Sequence, residues 1–436
     1  MRSQSLCFAK TIPVFLSDQR CSPPDKMPSI IRFQTLRSLR HRNFRLLLIG
    51  ALLSNAGDFM QNVAQSWLVW QLTRSALLLG IVGFFDSIPR LFLGAIGGAI
   101  ADRVDRRKLL IVTQTLGMLQ ATVYWLVVFF GVVRYWHVLT LACFLGVVNT
   151  INQTARQSLV NELVPKDDLS NAIALHASVF NLSRILGPSV GGLVIALIGV
   201  EGCFLVNALS FLALIWTLLL MALPPWTVAA NQGALWTEIK EGYEYLKSHS
   251  HLYSIVALSY VVALIGAPYA TFVPVFATNV LHVGPTGFGL LAAAPGIGAT
   301  TAGLWLASLG DYRPNLISVC AFVLAYGLFL GLFAWSHYFV FSLALLISVG
   351  FCFIAFRSCI NIALQSATPP RLLGRVLSFF FMDRGLWSIG GLILGSSASA
   401  VGINWTVGVA ATICALAAAV VLLRFRWAEM VPSSPT

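Results

Sequence analysis

Charge is what this sequence has least of. Only 10% of its 436 residues are Asp, Glu, Lys or Arg, against about 25% in an ordinary soluble domain. With 58% hydrophobic residues and a mean hydropathy of +0.82, most of the chain has no reason to face water, which excludes disorder, a coiled coil and a cytosolic enzyme. The eight cysteines are scattered through apolar runs without a C-x-x-C or a Cys/His cluster, so they read as small packing residues and no metal site is expected. Walker, dinucleotide and catalytic-triad patterns are all missing, and the loops are too short for a nucleotide-binding domain. No cofactor is therefore expected, and any work done must draw on an ion gradient. Residues 1–43 hold Pro13, Pro23, Pro24 and Pro28 and no apolar run followed by small residues; they read as a cytoplasmic tail, not a signal peptide.

What fills the chain is apolar runs of spanning length, each needing about 20 residues. They fall near 44–70, 77–101, 109–130, 137–160, 170–198 and 202–222, then near 251–279, 286–309, 315–335, 337–365, 376–400 and 402–424. The expected fold is thus an all-α integral membrane protein of 12 transmembrane helices. Its parts would be an N-terminal bundle over 44–222, a linker over 223–250, a C-terminal bundle over 251–424 and a tail over 425–436. Within the linker, Trp236, Ile239, Tyr243 and Leu246 recur at helical spacing among charges, which predicts an amphipathic helix.

The formal charge of +12 is a topology signal. Arg37, Arg40, Arg42 and Arg45 precede the first run, and Arg103, Arg106, Arg107 and Lys108 crowd the connection after the second. Connections on the opposite side carry only Arg74 and Arg134. The positive-inside rule puts both termini in the cytoplasm of a bacterial-type inner membrane, and nucleic acid is not an expected partner. Gly80, Gly94 and Asp102 align with Gly289, Gly303 and Asp311 at an offset of about 209 residues. Pro165, Leu169, Gly187 and Gly191 align with Pro369, Leu373, Gly391 and Gly395 at about 204. Such duplication predicts two related six-helix repeats with a site at their interface.

Two motifs carry mechanism. Gly98-Ala-Ile-Ala-Asp102-Arg103-Val-Asp105-Arg106-Arg107-Lys108 joins the second and third runs; its glycine permits close helix approach and its charges are able to pair when one conformation closes. In the fifth run, Ser183-Arg184-Ile-Leu-Gly187-Pro188-Ser-Val-Gly191-Gly192 sets a proline hinge among glycines that clear a face. The first motif resembles the loop between helices two and three of the major facilitator superfamily, with Asp105 where the general pattern has Gly; its second-half copy is reduced to Gly-Asp311-Tyr-Arg313. The hinge looks like the fifth-helix motif of proton-coupled exporters in that superfamily. Residues 155–165, with Arg156 at their head, Leu169 to Leu175, Asn181 to Pro188, Trp236 to Tyr243 and Leu373 to Val376 are similar to the branch holding enterobactin exporters and macrolide efflux proteins. Asn152 and Thr154 stand where that branch often has Asp and Pro. The resemblance covers about residues 36–424. It implies a major facilitator fold, a monomer, two bundles related by pseudo-symmetry, and export of a siderophore, drug or other amphipathic metabolite by proton antiport. Uptake by symport is the nearest rival; a membrane enzyme or a receptor built on this fold would be another class.

Ionisable residues inside a bilayer each need a partner or a role. Asn55, Asp58, Asn62 and Gln65 form a polar stripe at three- and four-residue spacing on the first run, which must face the bundle interior. Asp86 and Arg90 lie four apart in the second, and Arg184 lies deep in the fifth. Asp58, Asp86 and Arg184 are expected to converge in the cavity that the resemblance implies. Two readings stand for Asp58: it takes up and releases the coupling proton, or it stays ionised in a structural pair with Arg184 or Arg90. Asp86 is the second proton candidate. His176 is either a relay member or a histidine satisfied by a neighbouring helix. Arg357 and Asp383-Arg384 lie at similar depth and predict a cross-helix pair, as gate, strut or anion site. Asn55, Asn62, Gln65, Arg184, Arg357 and Arg384 are the substrate-cavity candidates. Gly98, Asp102, Arg103, Arg106, Arg107, Arg156, Gly187, Pro188, Gly191, Gly192 and Asp383 are the conformational ones. Phe84, Phe85 and Tyr269 are possible apolar lining.

Overall fold

The computed structural model of the chain describes residues 34–221, 235–309, 314–369 and 372–430, with some side chains inside those ranges undescribed. Every regular element among them is helical. A short 3-10 segment, Gln34–Arg40, leads into α1 (Arg42–Thr73), α2 (Ala76–Arg103), α3 (Arg106–Phe129), α4 (Tyr135–Leu163) and α5 (Lys166–Leu220). α6 (Leu235–Ser248) is the helix expected in the linker. α7 (Ser250–Val280) follows, then α8 (Pro285–Ser308), α9 (Leu316–Ala334), α10 (Phe339–Ala367), α11 (Leu373–Val401) and α12 (Ile403–Met430). Nine helical stretches among the described residues are long and apolar enough to cross a bilayer. α1, which carries the polar stripe, is not one of the nine.

The fifth and sixth runs of the sequence form the two arms of α5. The helix breaks at Gly199, where φ is 84° and ψ is 177°, a backbone conformation open to glycine and costly for a side chain. α7 is irregular in its middle. A π turn (Val262–Gly266), a 3-10 stretch (Ala267–Phe272) and a second π turn (Phe276–Val280) surround Pro268 and Pro274. A proline lacks the amide that the preceding turn needs, so the helix must rewind there.

The outside of the molecule is apolar and its inside is where the polar groups are. Leu197, Val340 and Leu304 are largely exposed, whereas Gln61, Gln114, Gln120 and Asn207 are buried. In lipid this is the expected sense: hydrocarbon covers the outside, and polar side chains find one another within.

α1 packs along α5, α2 along α4, and α3 against both α4 and α5; α7 to α12 pack among themselves. The two sets meet through α2 against α11 and α5 against α8. They meet at one end. Trp70 Nε1 donates to Thr278 Oγ1 at 2.8 Å and the Leu77 amide to Ser399 Oγ at 3.2 Å; Trp67 stacks on Phe288 with centroids 5.2 Å apart. Gly192 and Gly289 complete the contact. A Cβ on Gly192 would stand 2.7 Å from the Pro285 carbonyl oxygen and 2.8 Å from the Gly289 Cα, so two backbones touch where no side chain fits.

At the other, basic end, described pairs stay inside one set. Arg106 pairs with Glu162, and Arg107 Nη2 donates to the Leu219 carbonyl at 2.8 Å. α6 joins the second set through Arg375 with Glu241 and through the Tyr245 hydroxyl on the Ala367 carbonyl. Asp105, the residue departing from the loop pattern, caps α3 by accepting from the amides of Arg107 and Lys108. The N-terminal segment is stapled onto α5: Asp168, 2% exposed, forms an ion pair with Arg37 Nε at 2.7 Å and hydrogen bonds with Arg40 Nη2 at 2.9 Å and His41 Nε2 at 2.8 Å. Ser38 adds bonds to Asn171 and to the Asp168 carbonyl.

Two outcomes follow from this packing. The His41 and Arg40 hydrogen bonds hold the Asp168 carboxyl below its ordinary value of 3.8, so the staple's contribution is complete above that pH and is lost as pH falls through the lowered value. Asp168→Asn should lower the thermal midpoint at pH 7 and flatten its loss in acid, while exposed Asp167→Asn changes neither. Gly289→Val should push the two sets apart, seen as a longer pulsed electron-spin distance between labels at Val132 and Tyr338.

Candidate functional site

Where the two sets meet they line a half-open cavity of about 190 Å³. α1 supplies Phe59, Asn62 and Ser66; α5 supplies Arg184 and Pro188; the irregular part of α7 supplies Tyr269. Phe288 and Pro295 of α8, Tyr326 of α9, Phe353 of α10 and Trp387 of α11 close it. It lies on the basic side of the Trp67 and Phe288 contact. Three of the helices around it carry an internal proline, at Pro188, Pro268 and Pro295, and each removes one backbone donor there.

A second polar group lies one turn along α1 from Asn62. Arg156 of α4, 9% exposed, donates to Asn55 Oδ1. Arg156 and Asn207 lie beside Asp58, with Asp86 within electrostatic reach; Arg156 also faces His176. Beyond Asp58 the network continues through hydrogen bonds: Asn207 Nδ2 to Gln61 Oε1 at 2.9 Å, and Gln61 Nε2 to Gln120 Oε1 at 3.0 Å. Bonds of this kind average about 0.6 kcal/mol inside membranes, so the network matters more for the groups it leaves unmatched. Asp58 Oδ1, Asn55 Nδ2, Arg156 Nε and His176 Nε2 are all buried without a hydrogen-bond partner. Four orphan polar atoms in one cluster make a place where a proton, and the water carrying it, gains partners.

The stripe on α1 therefore divides. Asn62 opens on the cavity, Asn55 and Asp58 face Arg156, and Gln65 is buried outside the lining. The expected convergence of Asp58, Asp86 and Arg184 is not what the chain does: Arg184 lies in the cavity with Tyr269 as its electrostatic neighbour, and the countercharge beside Asp58 is Arg156. Helical spacing assigns a residue to a face, but α1 has two polar neighbours on that face, one in its own set and one across the cavity. Arg156, expected to serve conformational change, belongs to the Asp58 cluster by position. Gln61, Gln120 and Asn207 escaped the sequence reading, although Gln61 adjoins Asn62 and Asn207 is an amide in an apolar run.

In the second set the expected cross-helix pair is present. Arg357 grips both oxygens of Asp383, which is fully buried, and lies over the Phe380 and Phe353 rings. Arg357 is thereby absent from the cavity lining, contrary to its place among the cavity candidates. Tyr269 lines the cavity as expected; Phe84 and Phe85 pack on each other and do not. In the hinge, Gly187 and Gly191 face α1 at Phe59 and Met60, Gly192 faces α8, and Ser183 Oγ donates to the Leu52 carbonyl at 3.1 Å. The side chains of Arg90, Asp102, Arg103 and Arg384, the surroundings of Gly98, and the copy at Asp311 and Arg313 lie outside the described residues.

Residues 33–434 match the family described as transmembrane secretion effector. The chain belongs to that family, a branch of the major facilitator superfamily. It is a multi-pass membrane protein of a transporter family. Among known relatives, the staphyloferrin A transporter of Staphylococcus aureus is 25% identical over 82% of this chain and 90% of its own length. The multidrug efflux pump Tap of Mycolicibacterium fortuitum is 27% identical over 83% and 90%, and macrolide efflux protein A of Streptococcus pyogenes 22% over 76% and 83%. Among solved structures, the nucleoside transporter NupG superposes with a TM-score of 0.70 at 15% identity, covering 88% of this chain and 99% of that one. A bacterial homologue of the human lysosomal transporter Spinster gives 0.68 at 14% identity, over 88% and 97%.

Removing the Arg156 guanidinium leaves Asn55 Oδ1 and Asp58 uncompensated in the interior. Arg156→Leu should cost about 1–3 kcal/mol, read as a lower unfolding midpoint in detergent. The double variant Asp58→Asn/Arg156→Leu should recover part of that loss, giving a coupling energy between the two sites.

Proposed function

We propose that this protein is a secondary active exporter of a small molecule, driven by proton antiport, working as a monomer in a bacterial-type inner membrane. Its 12 helices form two six-helix bundles, over 44–222 and 251–424, related by pseudo-symmetry and rocking about the cavity. Both termini lie in the cytoplasm, so the basic end faces inward. Among the described residues the contacts between bundles gather at the far end, which fits a conformation that receives cargo from the cytoplasm.

One observation carries this reading: a cavity at the seam of the two helix sets adjoins a buried Asp58 and Arg156 cluster with unmatched polar atoms. With Asp58 ionised, its charge opposes that of Arg156. Once it is protonated, Arg156 is left uncompensated in low dielectric, and the arrangement of α1, α4 and α5 that best hydrates or neutralises Arg156 is favoured. A proton entering from outside thus biases the bundles toward the cytoplasm-open state, and its release inward resets them. Asp86, within electrostatic reach, adjusts this balance, and His176 lies on the path by which the proton reaches Arg156's side of the cluster. The relatives named for efflux support the outward direction. The hinge glycines and the Gly192 and Gly289 contact give the bundles a surface on which to part.

Everted membrane vesicles test it. Candidate dyes and drugs should accumulate inside on energisation, and collapse of the pH gradient should abolish accumulation. Asp58→Asn should lower gradient-driven transport at least tenfold while substrate-induced thermal stabilisation of the purified protein persists. Full gradient-driven transport by Asp58→Asn sinks the assignment of the proton site, and gradient-dependent loss of substrate from the vesicles would establish uptake instead.

A further inference from the structure

Among the described residues, two buried arginines of the interior have a carboxylate beside them and a third does not. Arg156 has Asp58 beside it, and Arg357 holds Asp383. Arg184 lines the central cavity, and among the described residues no carboxylate pairs with it; its electrostatic neighbour is the Tyr269 phenol. A cation placed inside a membrane protein is costly, about 2.5–3.5 kcal/mol at mid-depth on insertion scales, so an unmatched one calls for a partner from outside the chain.

Independent of that charge, Tyr326 in the same cavity wall is fully buried and its hydroxyl has no hydrogen-bond partner. Tyr269 is the electrostatic neighbour of both Tyr326 and Arg184. One guanidinium and two phenols are therefore gathered in a single region, with donors and no acceptor carboxylate. Around them the walls are flat and apolar: Phe59, Phe288, Phe353 and Trp387. The space, about 190 Å³, is below the roughly 300–1,000 Å³ of pockets for drug-sized ligands.

We propose that the cavity is an anion site that takes a small aromatic carboxylic acid, its carboxylate held by Arg184 with the hydroxyls of Tyr269 and Tyr326 and its ring laid against Phe59, Phe288 and Phe353. This rests on the exporter reading for its transport role, though not for binding. Arg184 belongs to the first helix set and both tyrosines to the second, so the bound carboxylate ties the sets together across the seam. A large cation is disfavoured on both counts, since Arg184 repels it and the cavity is small. Arginine presents a fork that matches a carboxylate, which lysine does not.

The test uses the purified full-length chain, calorimetric titration, and a panel of benzoate and 2-naphthoate with the matching amides and ethidium. At least one acid should bind saturably, and its amide at least tenfold more weakly. Arg184→Gln should weaken the acid by about 10- to 100-fold without altering the amide; Arg184→Lys should restore part of the loss. Tyr269→Phe and Tyr326→Phe should each weaken it by about 2- to 10-fold. Tyr326→Phe should unfold no earlier than the wild type, because it removes only an unmatched hydroxyl, so it reads the site even where Arg184→Gln folds poorly. No acid binding, equal binding of acid and amide, or wild-type acid affinity in Arg184→Gln overturns the proposal. In proteoliposomes, gradient-driven movement of ethidium without any acid binding would keep the exporter reading and end the anion site. Charge-dependent acid binding without gradient-driven movement of any probe would do the reverse.

Discussion

A polar group in hydrocarbon has to be matched by the chain or by a ligand, and the rest of this structure depends on that constraint. It forces the backbone into helices, whose amides and carbonyls satisfy one another. It turns the amides of Gln61, Gln120 and Asn207 inward, where they join α1, α3 and α5. Where the matching is complete, as in Arg357 with Asp383, the result holds two helices together. Where it is incomplete, at Asp58, Arg156 and His176 on one side and Arg184 and Tyr326 on the other, protons or cargo from outside the chain can supply what is missing.

The same constraint explains why prolines and glycines gather at the seam. Pro188 and Pro295 line the cavity, and Pro268 sits between its lining residues Ala267 and Tyr269. Each leaves a carbonyl that a neighbour or water must satisfy. Gly192 against Gly289 does the complementary job, bringing two helices to backbone contact so that they seal without interlocking side chains. Smooth glycine surfaces have fewer packing contacts to break if the helices part, which suits the proposed alternation of two bundles.

Much of the architecture was legible in the sequence because lipid imposes a one-dimensional code. Runs of spanning length, polar punctuation and clustered cations are local properties, and each run from Arg42 to Met430 became helix among the described residues. The break at Gly199 fell between two expected runs, and the linker helix began at Leu235. The Arg357 and Asp383 pair was also legible, since equal depth on consecutive runs is countable. The rewinding of α7 at Pro268 and Pro274 was not, because a run of apolar residues looks the same whether it winds as α, π or 3-10.

What the sequence determined by itself was the class of solvent, the number and order of apolar runs, and the short inventory of ionisable groups that lipid would not tolerate alone. Only the tertiary structure decided who meets whom. It gave Asp58 the company of Arg156, 98 positions away, and left Arg184 facing Tyr269 across the seam. It also turned Asp105 from a departure in a motif into the cap of α3. The physical reason is that depth along a helix is set by counting residues, whereas the facing partner is set by how whole helices pack, and that depends on small residues and prolines spread over the entire chain.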